Sequence, residues 1–510
     1  MSEGKQRFFV SHKEKSRTVT AVNLRETVLR SLLWVGGLRY GGQLITWIIT
    51  IFIIRLLNPE DYGVIAKASV FLGFFMMLGE SGLTAGIVHK RDLDNVHLPK
   101  LFGLLLVVNV FSMLLLFSLA PLIANLFHES RLVPILRVLS LNFILIAMSV
   151  IPQALLVRNM NFRLKSWVDL LGALGGAGVS LVLAVYGMAE WSLVWGALSA
   201  YLILAIGYNW INPILLLPTL DFRGIKYFIS FGAFLTGSSI LVYLYSNCDL
   251  VIGGRVLSNE ELGLYSTAIA LATLPMNKLA PVLSQVAFPA YSVIQKECHL
   301  VKSHFIKSIR LVSFLIFPLY WSGIFIVGDI FSLLFGEKWQ GMTILFQVLC
   351  LIMPFRVLNS LYAPVLQGIG KAKEHFINTV IITFLIIPAF LILIRWSSFG
   401  LCIAWALGFS MAFLAISHRV ISSVGVSKNE YVAAISTSVV AALTGMVFIY
   451  VWKRFCIWIE MSSLIFILSS IIIALSLYLT VIFIFDRKIL MDLRSLRGDK
   501  YQTDTLRPSI

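Results

Sequence analysis

Several ionisable side chains lie where long apolar runs should carry none. Arg39, Lys278 and Arg356 fall near the middles of three such runs, Glu80 towards the end of another and Asp169 near the start of a fifth. Asp249 and Arg255 sit together at the end of a sixth. A charge inside a membrane span costs about 2.5 to 3.5 kcal/mol on insertion scales, so it faces a cavity or a partner. The central three are all cationic. Converging, they would form a positively charged chamber at mid-membrane suited to an anionic head group such as a diphosphate. The chemistry is recognition of charge, with no bond made or broken. The alternative arrangement pairs Arg39 or Lys278 with Glu80 as an ion pair between helices. Lys67, Arg137 and Asp169 are close enough to an interface for snorkelling to head groups, and Asn247 with Asp249 could equally cap a helix end. Pro275 and Pro281 bracket Lys278 and loosen its helix there.

Composition dictates what must position these groups. Over 510 residues, 58% are hydrophobic and only 13% charged, with a mean hydropathy of +0.89. That excludes an ordinary soluble protein. The apolar runs are continuous instead of alternating, which predicts helices and not a barrel. The expected fold is an all-α integral membrane protein of about 14 transmembrane helices, each needing about 20 apolar residues to cross the bilayer. They are read as two pseudo-repeated six-helix lobes plus two C-terminal helices. Residues 1–24 form a basic tail, 25–211 the N-terminal lobe and 212–227 a cytoplasmic linker with Pro213 and Pro218. Residues 228–421 form the C-terminal lobe, 422–486 the extra helices thirteen and fourteen, and 487–510 a cytoplasmic tail.

The repeat is carried by Arg55 to Ala68, RLLNPEDYGVIAKA, and Arg255 to Ala268, RVLSNEELGLYSTA. Each copy offers a capping residue (Asn58, Ser258) followed by acidic residues in the first turn, where exposed N–H groups and the helix dipole favour negative charge. Pro59 suits a first helical position, and Ser258 with Glu261 fits a capping box. Each copy therefore marks a chain reversal and a new helix.

Most of the 41 lysines and arginines fall on alternate loops and the two tails, which orients both termini to the cytoplasm. The net charge of +16 then finds its partner in anionic membrane lipids at the inner face, at about 1 kcal/mol per basic residue. Nucleic-acid binding is not required. The five cysteines are scattered without CxxC spacing, which argues against a metal site or a disulfide framework. His299 and His304 near Cys298 are read as incidental members of a basic loop. With no P-loop or Gly-rich nucleotide fingerprint, no cofactor is expected and direct ATP drive is not indicated.

The run from Asn247, NCDLVIGGRVLSNEELGLYSTAIALATLPMNKLAPVLSQVAFPAYSVIQ, resembles the second-half signature of the Wzx-type polysaccharide exporters, a branch of the multidrug/oligosaccharidyl-lipid/polysaccharide flippase superfamily. RLLNPEDYGVIA with GESGLTAGIVHKRD from Gly79 is similar to the opening signature, particularly of the colanic-acid-exporter-like subgroup, and LLVRNMNFR from Leu155 agrees. Glu80 stands where many relatives have Asp, which keeps the charge.

The resemblance implies a flippase, not an enzyme. It would move an undecaprenyl-diphosphate-linked oligosaccharide across the bacterial cytoplasmic membrane by alternating access, for surface polysaccharide. It implies Arg39 and Lys278 as substrate contacts, since relatives carry basic residues in the matching two helices; Arg356, the third central cation, is read with them, and Glu80, Asp249 and Arg255 are read as coupling or gating residues. A polysaccharide polymerase and a chain-length regulator are the implied protein partners. Within the same superfamily the competing reading is an ion-coupled small-molecule antiporter, which would be expected to centre an acidic cavity. The cationic centre argues against it. A membrane glycosyltransferase would need carboxylates on a sizeable aqueous loop, and the longest expected outer loop is only about a dozen residues by this count of spans.

Overall fold

A computed structural model describes residues 41–89, 97–159, 161–213, 218–221, 223, 225–485 and 489, with the backbone alone at 78–89, 97 and 226–239. Its elements are helices: α1 (Gly41–Leu56), α2 (Pro59–His89), α3 (His97–Phe127), α4 (Leu132–Leu139), α5 (Asn142–Arg158) and α6 (Phe162–Val185). Then come α7 (Ala189–Ile211), α8 (Lys226–Val256), α9 (Asn259–Ile294), α10 (Cys298–Trp321), α11 (Val327–Phe335) and α12 (Met342–Ser360). The chain ends with α13 (Tyr362–Gly368), α14 (Ala372–Leu393), α15 (Ser397–Val424), α16 (Lys428–Trp458) and α17 (Ser463–Phe485). Among the described residues, 8 stretches are long and apolar enough to cross a membrane. α1 and the start of α2, bent by 118° from one another, pass only as a pair. α9, which carries Lys278, and α10, which carries Lys302, Lys307 and Arg310, are not among those stretches. These are the helices in which polar groups need protein or water as partners.

Both copies of the repeat start helices, as expected. Ser258 Oγ accepts the Glu261 N–H at 3.2 Å while the Glu261 carboxylate accepts the Ser258 N–H at 3.4 Å, a complete capping box at the start of α9. In the first copy the Asp61 carboxylate accepts the Asn58 N–H at 2.9 Å. The Asn58 side chain faces outward across the chain, and its Oδ1 accepts from Lys338 Nζ at 3.4 Å.

The two new helices then cross at their first turns. A Cβ placed on Gly63 would lie 1.9 Å from the Asn259 carbonyl oxygen, and one on Gly263 would lie 1.7 Å from the Pro59 carbonyl oxygen. Glycine is required at both positions because backbone, not a movable side chain, occupies the space. Position 63 meets 259 and 263 meets 59, so the contact is reciprocal between the repeats.

The connection from α10 to α12 completes this end of the bundle. Expected as a short loop, it folds instead into α11 and a 3₁₀ turn, Glu337–Trp339. Trp339 is fully buried, donates its indole N–H to the Ile54 carbonyl at 2.9 Å and meets Tyr62 edge-on at 5.4 Å. Ile54 and Ala66 from the first half are thereby built into the large apolar core of the second half.

Two sequence readings change. Residues from Cys298 onward are helical, so His299 and His304 lie on α10 and not in a loop; charges at a helix end dilute the apolar signal without breaking the helix. The last two helices divide at 459–462, several residues later than expected, because α16 continues through Trp458. The prolines Pro275, Pro281 and Pro289 all lie within the unbroken span of α9.

Candidate functional site

Lys278 lies in mid-α9 with its side chain exposed, and its ammonium donates to Gln43 Oε1 of α1 at 2.9 Å. The bond joins the two halves of the chain. Gln43 is neutral, and among the described residues no carboxylate lies within salt-bridge distance of Lys278. An amide oxygen fixes an ammonium without cancelling its charge, so a cation is held ready at the seam between the halves.

Arg356 occupies a different setting. It is only 8% exposed, and its guanidinium lies 3.9 Å from the centre of the Trp405 ring. The same indole donates its N–H to Asp249 at 3.0 Å, and Tyr265 donates its hydroxyl to Asp249 at 2.6 Å. Asp249 is 1% exposed and also accepts the Leu250 N–H at 2.9 Å. Trp405 thus touches both Asp249 and Arg356. Asp249 is therefore an interior group of α8 and does not cap its end. The structure does not place Arg356 beside Lys278 on one exposed cationic surface: one is buried with an acid in reach and the other is open.

Arg255, at the end of α8, bridges the halves. Its Nη1 donates to the Leu126 carbonyl at the end of α3, with the Asn125 carbonyl at 3.4 Å and the His128 ring nitrogens at 3.3 and 3.4 Å. Arg39 and its neighbours in the first span lie outside the described residues, as do the N-terminal tail, the C-terminal tail apart from Ile489 and the His89–Arg91 turn beyond His89. Glu80 is placed on α2 by its backbone, and its side chain lies outside the described residues too.

A residue read as snorkelling turns out to be central. Lys67 of α2 is only 3% exposed, and its ammonium donates to Asn259 Oδ1 at 2.6 Å. It also sits 5.9 Å from the Phe127 ring centre. The Asn259 amide nitrogen in turn donates to Glu129, which also accepts from Arg131 Nε at 3.0 Å. Arg131 continues to Glu60 at 2.7 Å and Glu190 at 3.8 Å. Those contacts hold the Glu129 carboxyl at about 2, Arg131 contributing most. The available signal was position: Lys67 and Asn259 both fall inside the repeated stretch that marks the crossing.

Arginine and lysine thus cross the seam onto neutral oxygens: Lys67 onto Asn259, Lys278 onto Gln43, Arg255 onto Leu126, and Lys338 onto the Leu56 carbonyl at 3.1 Å. The ion pairs of Arg131 and Arg419 instead stay within one lobe, and those of Lys302 and Lys453 join the C-terminal lobe to α16. No group of three or more histidine, cysteine or acidic residues placed to hold a metal occurs among the described residues.

Comparison with known proteins places the chain. It is 26% identical over 370 residues to the lipopolysaccharide biosynthesis protein WzxC of Escherichia coli K12, covering 71% of this chain and 73% of that one. It is 24% identical over 353 residues to the succinoglycan biosynthesis transport protein ExoT of Rhizobium meliloti 1021, covering 69% and 71%. The fold matches the lipid II flippase MurJ in an inward closed conformation, with a TM-score of 0.72 at 15% identity over 89% of this chain and 99% of that one. Residues 52–344, more than half of the chain, match the family model described as polysaccharide biosynthesis protein. The chain belongs to that family, as a multi-pass membrane transporter of polysaccharide biosynthesis.

Proposed function

We infer that this transporter is a flippase for undecaprenyl-diphosphate-linked oligosaccharide repeat units, working by alternating access across the bacterial cytoplasmic membrane. The observation that carries the reading is Lys278, an exposed cation in mid-helix whose partner across the seam is the uncharged Gln43. A diphosphate can displace an amide from an ammonium and gain a full charge pair in a low-dielectric setting. The reciprocal crossing of α2 and α9 supplies the complementary requirement, a seal at one end while cargo loads from the other.

In this reading fourteen spans form two six-helix lobes and a C-terminal pair, α16 and α17, with both termini cytoplasmic. The breaks within α4–α5 and α12–α13 are single bent spans. The sealed end faces the outer leaflet. Arg39 joins Lys278 in the chamber, Arg255 belongs to the seal, and Arg356 with Asp249 stiffens the C-terminal lobe. Glu80 and Asp249 remain the groups through which an ion gradient would act. The glycan leaves for a polymerase and its chain-length regulator.

Translocation of a defined undecaprenyl-diphosphate oligosaccharide in proteoliposomes tests this directly. Wild type is expected to move the lipid-linked sugar, and Lys278→Ala, checked for normal insertion, to lose at least tenfold in rate. If wild type moves no lipid-linked sugar but exchanges small cations, an antiporter replaces the flippase.

A further inference from the structure

Two lysines stand at successive depths along the seam, and each is capped by a carboxamide from the opposite half. Lys67 of α2 donates to Asn259 at the start of α9; Lys278 of α9 donates to Gln43 of α1. At the helical rise of 1.5 Å per residue, Lys67 lies about 12 Å from the sealed end along α2 and Lys278 about 28 Å along α9. Lys278 is exposed, whereas Lys67 is 3% exposed beneath the crossing of α2 and α9. The repeat does not reproduce the pair: the position equivalent to Lys67 is Thr267, whose hydroxyl is buried without a hydrogen-bond partner, and the position equivalent to Asn259 is Pro59. The seal therefore holds one buried cation, and that cation's cap is carried by the helix that must withdraw when the seal opens.

We propose that Lys67 is a second, cryptic binding site for a diphosphate, exposed only when the sealed end opens, so that cargo passes from Lys278 to Lys67 during transport. The proposal deepens the flippase reading and rests on it. Separation of the halves removes Asn259 from Lys67 and admits water and anion together. Among the described residues no carboxylate pairs with Lys67, and Glu129 keeps its two side-chain bonds to Arg131 when Asn259 withdraws. In this conformation both lysines carry their caps, but only Lys278 is exposed to an anion that could displace one. A charge pair such as Lys67 with a carboxylate would hold the seal shut more firmly but could not hand over to an anion at the same cost.

Inorganic pyrophosphate binding to the full-length chain in zwitterionic nanodiscs, followed by calorimetry, reads this without transport. In the wild type, Lys278→Gln should weaken binding at least tenfold. Gly263→Val adds a side chain against the Pro59 backbone and wedges the seal open. In that background Lys67→Gln should weaken pyrophosphate binding at least tenfold; no change there overturns the proposal. Asn259→Ala, which removes the cap without a wedge, serves if Gly263→Val does not fold. It should raise affinity at least threefold in a manner abolished by Lys67→Gln, and an unchanged affinity again overturns it. Wild type that translocates lipid-linked oligosaccharide while neither opened variant gains a Lys67-dependent site leaves the flippase standing without the second site. Failure of translocation removes the flippase reading separately.

Discussion

Trp405 donates its indole N–H to the Asp249 carboxylate at 3.0 Å and turns the face of the same ring to Arg356 at 3.9 Å. One side chain thereby serves a buried anion and a buried cation at once. Removing either charge strands the other, a loss of about 3 to 5 kcal/mol for buried charges, whereas removing both is tolerated far better. Asp249→Leu and Arg356→Met should each lower unfolding stability strongly. The double variant should recover about 1 kcal/mol or more relative to the sum. Additive losses in a thermal or denaturant cycle would show that the two charges do not depend on one another.

What the sequence made legible follows from what is local. Helix starts at Pro59 and Asn259 were readable because caps and first-turn acids are decided by neighbours in the chain. Eight of the spans are readable because apolar runs of the right length have few alternatives. Partnership across hundreds of residues was not. Lys67, Arg356 and Lys278 look alike in sequence, as cations in or beside apolar runs. Only the packing of α2 on α9 buries the first, only Trp405 and Asp249 absorb the second, and the third stays open. The connection 322–341 has no such signal, because its role depends on Trp339 reaching Ile54, a contact without local signature.

The reciprocal glycines give a test of the seal. Gly63→Ala and Gly263→Ala each place a methyl group against backbone, and overpacking of this kind costs about 1 to 3 kcal/mol. A Cβ placed on Gly178 of α6 would meet nothing within 4 Å, so Gly178→Ala should be neutral or stabilising by up to about 1 kcal/mol. Thermal unfolding of the three variants in one detergent would check this. Equal behaviour at all three positions would mean that α2 and α9 cross more loosely than the two glycine contacts require.

Acid should weaken the same end of the molecule in a defined window. Glu129, in the turn between α3 and α4, is held at about 2, first by Arg131 and then by Asn259. Its folded carboxyl thus titrates below that of the unfolded chain, ordinarily near 4.3. The contribution is complete above about pH 5 and disappears as the pH falls towards 2. The stability difference between wild type and Glu129→Gln should therefore be constant from pH 7 to 5 and shrink below that. A difference that instead grows on acidification would reverse the assignment of Glu129 as the ionised partner of Arg131.

Lys278 and Arg356 should part company when transport and stability are measured on the same variants. Lys278 is exposed and bonded to a neutral amide, so Lys278→Gln removes a charge whose fixed protein partner is uncharged. Its stability should stay within about 0.5 kcal/mol of wild type, as for exposed substitutions generally. Its loss should appear in translocation, where the anionic head group has lost its counter-charge. Arg356→Gln leaves Asp249 buried without the guanidinium and uncovers the Trp405 ring, so it should unfold more easily by about 3 to 5 kcal/mol. Correctly folded Arg356→Gln protein, selected at low temperature, should keep substantial transport. A stable Arg356→Gln that cannot transport would move Arg356 into the chamber beside Lys278, and an unstable Lys278→Gln would make the bond to Gln43 a structural strut instead of a capped binding charge.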